Sequence, residues 1–217
     1  ATDAAPAAAD GGAAAPADTP VAADTTAEVQ VVEAYTLVQQ FELSLTVTSS
    51  KFNRIRRIPR KYSCTEEDIS VPITWSDPPE GTISLALVVD SNQHPGALWV
   101  HWVLWGIPPD ARELPEAVPN TPEAPSIGPK ARQGTNNEKL VGWSGPCPSP
   151  IDLASDSGTP KDRIVSEYFF KLYALDTEIE LGPEATKGDL LRAIEGHILA
   201  GGEVMGEHVS KKQVHTR

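Results

Sequence analysis

Twenty prolines in a chain of 217 residues exclude a helical bundle, because proline breaks helix interiors and is tolerated at strand edges and in turns. Many lie in stretches such as SDPPEG (76–81) and IPPDARELPEAVPNTPEAP (107–125), which read as turns and long loops. Between the loops lie apolar runs of strand length. FELSLTV (41–47) alternates Phe41, Leu43, Leu45 and Val47 with Glu42, Ser44 and Thr46, the pattern of a strand with one buried face. TISLALVVD (82–90) and LWVHWVLWGI (98–107) are apolar enough for central strands, and EYFFKLYALD (167–176) is a fourth. One helix is expected, over ATKGDLLRAIEGHILAGG (185–202). Thr186 caps it with Asp189 three residues on, Leu190, Leu191, Ile194 and Ile198 form its stripe, and Gly201 and Gly202 stop it. Strands separated by proline-rich loops, with one late helix, define an all-β sandwich.

The two ends of the charge distribution differ. Net charge is −12, which argues against nucleic acid as the partner of the whole chain. No Lys or Arg precedes Lys51. Residues 1–24 are almost wholly Ala, Pro, Asp, Gly and Thr, with no large apolar side chain to offset the entropy of ordering. This stretch reads as a flexible, disordered acidic arm. Residues 25–40 suit either a short helix or an added strand, and 41–217 form the folded domain. The start at Ala1 fits removal of a targeting peptide for an organelle, with the chloroplast favoured, or for secretion; a trimmed chain would look the same. No apolar run approaches the roughly 20 residues of a membrane helix, so a soluble protein is expected. Lys51–Lys61, KFNRIRRIPRK, packs six basic residues around Phe52, Ile55 and Ile58. It reads as a solvated loop balancing an acidic domain, or as a docking patch for nucleic acid, an acidic protein or the chain's own acidic arm.

Taken in order, IP (58–59), YSC (62–64), DISVPITW (68–75), PEGTISLALVVD (79–90), VHWVLWGIP (100–108), GWSGPCP (142–148), YFFKLYALD (168–176) and EGHILA (195–200) resemble the phosphatidylethanolamine-binding proteins, in their bacterial and algal-type branch. The resemblance runs from about Phe41 to Val209. It implies a Greek-key β-sandwich with a small cavity that accepts phosphate-like anions or phospholipid head groups. Members of that family act as lipid binders, kinase regulators, protease inhibitors and plant transcriptional co-regulators, so the fold fixes a cavity and leaves the role open.

Carried over by motif, the resemblance implies ligand-binding roles for Asp90, His101, Trp143, Gly145, Pro146 and Tyr168. A carboxylate beside His101 would favour the imidazolium, and backbone N–H groups of the Gly145–Pro146 loop would complete an anion site. Related chains often carry Cys at both positions 64 and 147, which implies that Cys64 and Cys147 are neighbours, disulfide-bonded in an oxidising compartment.

Three departures stand out. Where relatives have D-P-x-A-P, this chain reads D90-S91-N92-Q93-H94-P95, one residue longer. H-R-Y is replaced by Ser166, Glu167 and Tyr168, which removes an imidazole and adds an acid. The loop after Cys147 is long. The lost donor and added acid are expected to weaken an anion site by about 1.5–3 kcal/mol.

A triad of Asp90, His101 and Ser144 lacks the G-x-S-x-G elbow, because Pro146 stands at the final glycine. No catalytic set, cofactor fingerprint or metal-ligand spacing emerges. Two functions follow. One is a regulator that binds a phosphate-bearing small molecule or lipid head group. The other is a structural or accessory subunit held by its arm, the 51–61 loop or the 149–166 insertion.

Overall fold

The structure is a computed structural model that describes residues 44–52, 57–94, 97–147 and 163–211. The expected arm 1–24, the segment 25–40 and most of the 149–166 insertion lie outside the described residues. The elements in order are β1 (Val47–Thr48), a 3₁₀ turn (Arg60–Tyr62), β2 (Ile73–Trp75), β3 (Ser84–His94), β4 (Ala97–Ile107), β5 (Glu113–Leu114), β6 (Arg132–Gln133), β7 (Arg163–Leu175), α1 (Lys187–Ile194) and β8 (Ile198–Lys211).

Five strands form one antiparallel sheet in the order β6-β4-β3-β7-β8, and β1-β2-β5 form a small second sheet. The apolar runs read in the sequence become β3, β4 and β7. Because side chains alternate across a strand, each contributes to two cores. Leu85, Leu87 and Val89 of β3 join Trp102, Phe170 and Leu172 beneath the small sheet's Val47, Ile73 and Leu114. Ala86 and Val88 face the other way, towards Leu190 and Ile194 of α1. The result is a small sheet, a large sheet and a helix in three layers.

The helix is shorter than expected. Thr186 and Asp189 do form the capping box, but α1 ends at Ile194. Gly196 then turns the chain with φ +78°, a left-handed conformation that glycine adopts without penalty. Ile198 opens β8, and Gly201 and Gly202 lie inside that strand, where they had been expected to stop the helix. At Gly202 a Cβ would sit 2.3 Å from the Leu45 carbonyl oxygen, so the strand glycine marks close backbone contact with the chain beside β1. Leu45 N–H donates to the Gly201 carbonyl at 3.0 Å, and Ile58 N–H to that of Glu207 at 2.7 Å.

The described part of the basic loop is a core element. Phe52 and Ile58 are buried. Arg60 pairs with Glu66 at 3.3 Å and Lys61 with Glu116 at 2.6 Å.

Candidate functional site

Position 90 begins the site, and it overturns an expectation. Between Val89 and Asp90 the β3–β4 register shifts: Val89 is opposite Trp102 and Asp90 opposite Val100, so His101 is the extra residue of a β-bulge. Asp90 faces the helix side with Ala86 and Val88. Its carboxylate is fully buried and accepts from Lys171 Nζ at 2.9 and 3.1 Å and from Lys187 Nζ at 2.5 Å. The expected Asp90–His101 pairing is therefore corrected. His101 turns to the opposite face, where its Nε2 lies 2.9 Å from Ser91 Oγ.

Around His101 the face is aromatic and polar. His101 Nδ1 donates to the Ser144 carbonyl at 2.8 Å. A carbonyl only accepts, so Nδ1 carries the hydrogen and Nε2 faces the Ser91 hydroxyl. Tyr168 of β7 lies 4.8 Å from the imidazole, centroid to centroid, and its hydroxyl bonds Gln93 Oε1 at 2.5 Å. Trp143 stacks on Phe170 and stands 6.4 Å from His101. The Trp143 indole N–H and Ser144 Oγ are buried and have no hydrogen-bond partner among the described residues; such groups ordinarily find one.

Strand parity also relocates Glu167. Its carboxylate accepts from Asn92 Nδ2 at 2.8 Å, on the face away from Tyr168, so it does not acidify the His101 face as expected. Ser166 does lie on the site's face, and directly across the β7–β8 ladder from it is His208. The His208 ring meets Tyr168 edge-on, with centroids 6.4 Å apart. The sequence reading missed His208, because the only signal for it is a β8 register that pairs residues far apart in the chain.

Burial, and secondarily the Arg60 guanidinium, hold the His208 pKa below its ordinary value of 6.5. A base whose folded pKa is depressed takes up its proton more readily when unfolded. Its contribution to stability is thus intact above pH 6.5 and is lost as pH falls through the folded value. Thermal melts at pH 7.5 and pH 5 should show a smaller acid-side loss for His208→Gln than for wild type.

The Gly145–Pro146 loop is placed differently from expectation. Gly145 N–H is committed to Asp68 Oδ1 at 2.7 Å, and proline has no N–H, so these two residues shape the site without offering an amide to an anion. Cys64 and Cys147 are disulfide-bonded, with Cα atoms 5.4 Å apart, and Cys64 N–H donates to the Pro146 carbonyl at 3.1 Å. A separate cleft of about 910 Å³ opens at the far end of β3 and β4, lined by Ile83, Trp105, Ile107, Ile127 and Leu181. The Lys130–Glu178 ion pair joins two of its walls. None of the six ligand-binding residues carried over by the resemblance lines it. Among the described residues there is no cluster able to hold a metal ion and no helix long and apolar enough to cross a membrane.

The small sheet packs on the large one as a β-sandwich, with Ser91, His101 and Tyr168 together on one face of the large sheet. The family profile described as phosphatidylethanolamine-binding protein matches residues 48–209, and the chain belongs to that family. A UPF0098 protein of Methanothermobacter thermautotrophicus is 40% identical over 162 residues, covering 75% of this chain and 97% of the relative. Another, of Aquifex aeolicus, is 37% identical over 163 residues, covering 75% and 86%. Among solved structures, a phosphatidylethanolamine-binding protein homolog of Chlamydia trachomatis matches with TM-score 0.62 and 32% identity, covering 77% of this chain and 98% of that one. Escherichia coli YbcL, described as a member of the mammalian family, matches with TM-score 0.64 and 25% identity, covering 76% and 97%.

Proposed function

We propose that the domain is a non-catalytic binding protein whose site, formed by His101, Tyr168 and His208 on one face of the large sheet, takes a small phosphate-bearing ligand or head group. The observation that carries this reading is the setting of His101: its imidazole is fixed by the Ser144 carbonyl and neighbours the Trp143 ring, and both residues carry a buried side-chain donor with no hydrogen-bond partner among the described residues. Phosphate oxygens are strong acceptors for such groups. Asp90 and Glu167, the acids expected to border the site, point away from it, which favours an anion over a cation.

Calorimetry with inorganic phosphate and with phosphoethanolamine tests the reading. Wild type should bind, and His101→Ala should lower affinity about 10- to 150-fold, the equivalent of one charge-assisted hydrogen bond. Absence of heat from wild type with both ligands at millimolar concentration would overturn it. The accessory-subunit alternative draws on the residues outside the matched 48–209, and co-purification of a stoichiometric partner from the native source would favour it.

A further inference from the structure

The peptide bond between Ser144 and Gly145 is held from both sides. Its carbonyl accepts from His101 Nδ1 at 2.8 Å, and its N–H donates to Asp68 Oδ1 at 2.7 Å. Beyond the imidazole, Ser91 Oγ lies 2.9 Å from Nε2. A carboxylate, a peptide, an imidazole and a hydroxyl thus form one hydrogen-bonded series spanning residues far apart in sequence.

Bonds in series polarise one another. A carboxylate that accepts from an amide N–H draws negative charge onto that amide's carbonyl oxygen. The oxygen then becomes a better partner for an imidazole N–H, and better still for an imidazolium. We propose that Asp68 is a positioning residue for His101, acting through the Ser144–Gly145 peptide to orient the ring and stabilise its protonated form. The site would then have its carboxylate at one remove, in place of the direct Asp90 contact that the motif suggested.

Independent features of the loop fit that role. Asp68 has φ +52°, a left-handed backbone that is uncommon outside glycine and persists where the surroundings enforce it. Its carboxyl pKa stands above the ordinary value, because burial outweighs the opposing Gly145 N–H. At Gly145 a Cβ would lie 2.0 Å from the Tyr62 carbonyl oxygen and 2.6 Å from Asp68 Oδ1, so only glycine allows the approach. The Cys64–Cys147 bond and the Cys64 N–H to Pro146 contact pin the two loops together.

Among the described residues, Ser91 from β3, Tyr168 from β7 and Trp143 from the loop also face His101. His208 of β8 lies beyond Tyr168, with Arg60 next to it. Asp90, the remaining acid of that part of β3, is engaged by Lys171 and Lys187 on the other face.

The functional consequence rests on the phosphate-site reading, whereas the charge coupling can be measured without any ligand. Imidazole NMR titration of His101 in the full chain should be compared between wild type and Asp68→Asn. Asparagine tolerates the left-handed backbone and keeps an acceptor oxygen, but removes the charge. The expected result is a fall in the His101 pKa of roughly 0.5–1 unit, with the Nδ1–H tautomer and melting temperature retained. Phosphate affinity at pH 6 should fall by about threefold or more in the same variant. An unchanged His101 titration in folded Asp68→Asn overturns the proposal, as would a loss of stability without a pKa change. Should that variant fail to fold, the wild-type titration decides: His101 resonances must show a second inflection as Asp68 protonates, and a single inflection overturns the proposal. If the coupling appears but wild type binds no phosphate, the ligand reading fails and the relay stands.

Discussion

Replacing Asp90 with alanine should lower the free energy of unfolding at neutral pH by about 3–5 kcal/mol, the range for removing one partner of a buried ion pair. The carboxylate is fully buried and holds two ammonium groups, Lys171 Nζ at 2.9 Å and Lys187 Nζ at 2.5 Å. Burial already pushes the Lys187 pKa below its ordinary value, and Asp90 is the largest influence raising it again. Without Asp90 the desolvated charge on Lys187 loses its counter-ion, while Lys171 still faces Glu203 across the β7–β8 ladder. The pH dependence has a definite sign. A lysine whose folded pKa is depressed contributes stability at high pH that is lost as pH falls through that value. The deficit of Asp90→Ala relative to wild type should therefore shrink towards pH 10, as shown by denaturant unfolding at pH 7 and pH 10. Adding Lys187→Met to Asp90→Ala should recover part of the loss at pH 7. A change below 1 kcal/mol for Asp90→Ala would mean that the cluster is hydrated and of little structural weight. Phosphate binding, in contrast, should survive wherever the variant is folded, because Asp90 does not face His101.

That last point separates what the sequence disclosed from what it concealed. The central strands announce themselves through apolar runs in which β-branched and aromatic residues recur, and the Thr186–Asp189 capping box marks the helix start. The bulge between Val89 and Asp90 has no such mark. Since side chains alternate with a period of two, a slip of one residue exchanges the faces of a strand, and Ser91 rather than Asp90 meets His101. Parity could have placed Glu167, because it neighbours Tyr168 on the same strand and must point the other way. His208 was beyond reach. Its approach to Tyr168 depends on the β7–β8 ladder, and β8 reads poorly as a strand because Gly201, Gly202 and Gly206 interrupt its apolar pattern. Two of these glycines serve tertiary contact: a Cβ at 206 would lie 2.8 Å from both Ile58 and Phe52, as one at 202 would strike Leu45. The Asp68 contact likewise joins two loops through a backbone amide, and backbone amides leave no trace in residue identity.

Loss of the Cys64–Cys147 bond should be the other large effect. The two residues are 83 positions apart, and closing a loop of that length stabilises the folded state by about 4–5 kcal/mol in the chain-entropy treatment. For a domain of this size the paired Cys64→Ser/Cys147→Ser variant should melt about 10–20 °C below the oxidised protein. A local consequence should accompany the global one. Cys147 follows Pro146 directly, and Ser144, which fixes the His101 imidazole, is three residues before it. With the bond gone, the loop retains the Cys64 N–H to Pro146 contact and the Gly145 N–H to Asp68 contact, so the site should loosen rather than dissolve. Amide hydrogen exchange across residues 143–147 reports that loosening, and should rise more than exchange in the centre of β3. Equal melting temperatures for the oxidised protein and the double-serine variant would show that those two hydrogen bonds suffice to hold the loops. Matched losses of protection in the loop and the β3 core would instead mean that the loop opens only when the whole domain unfolds.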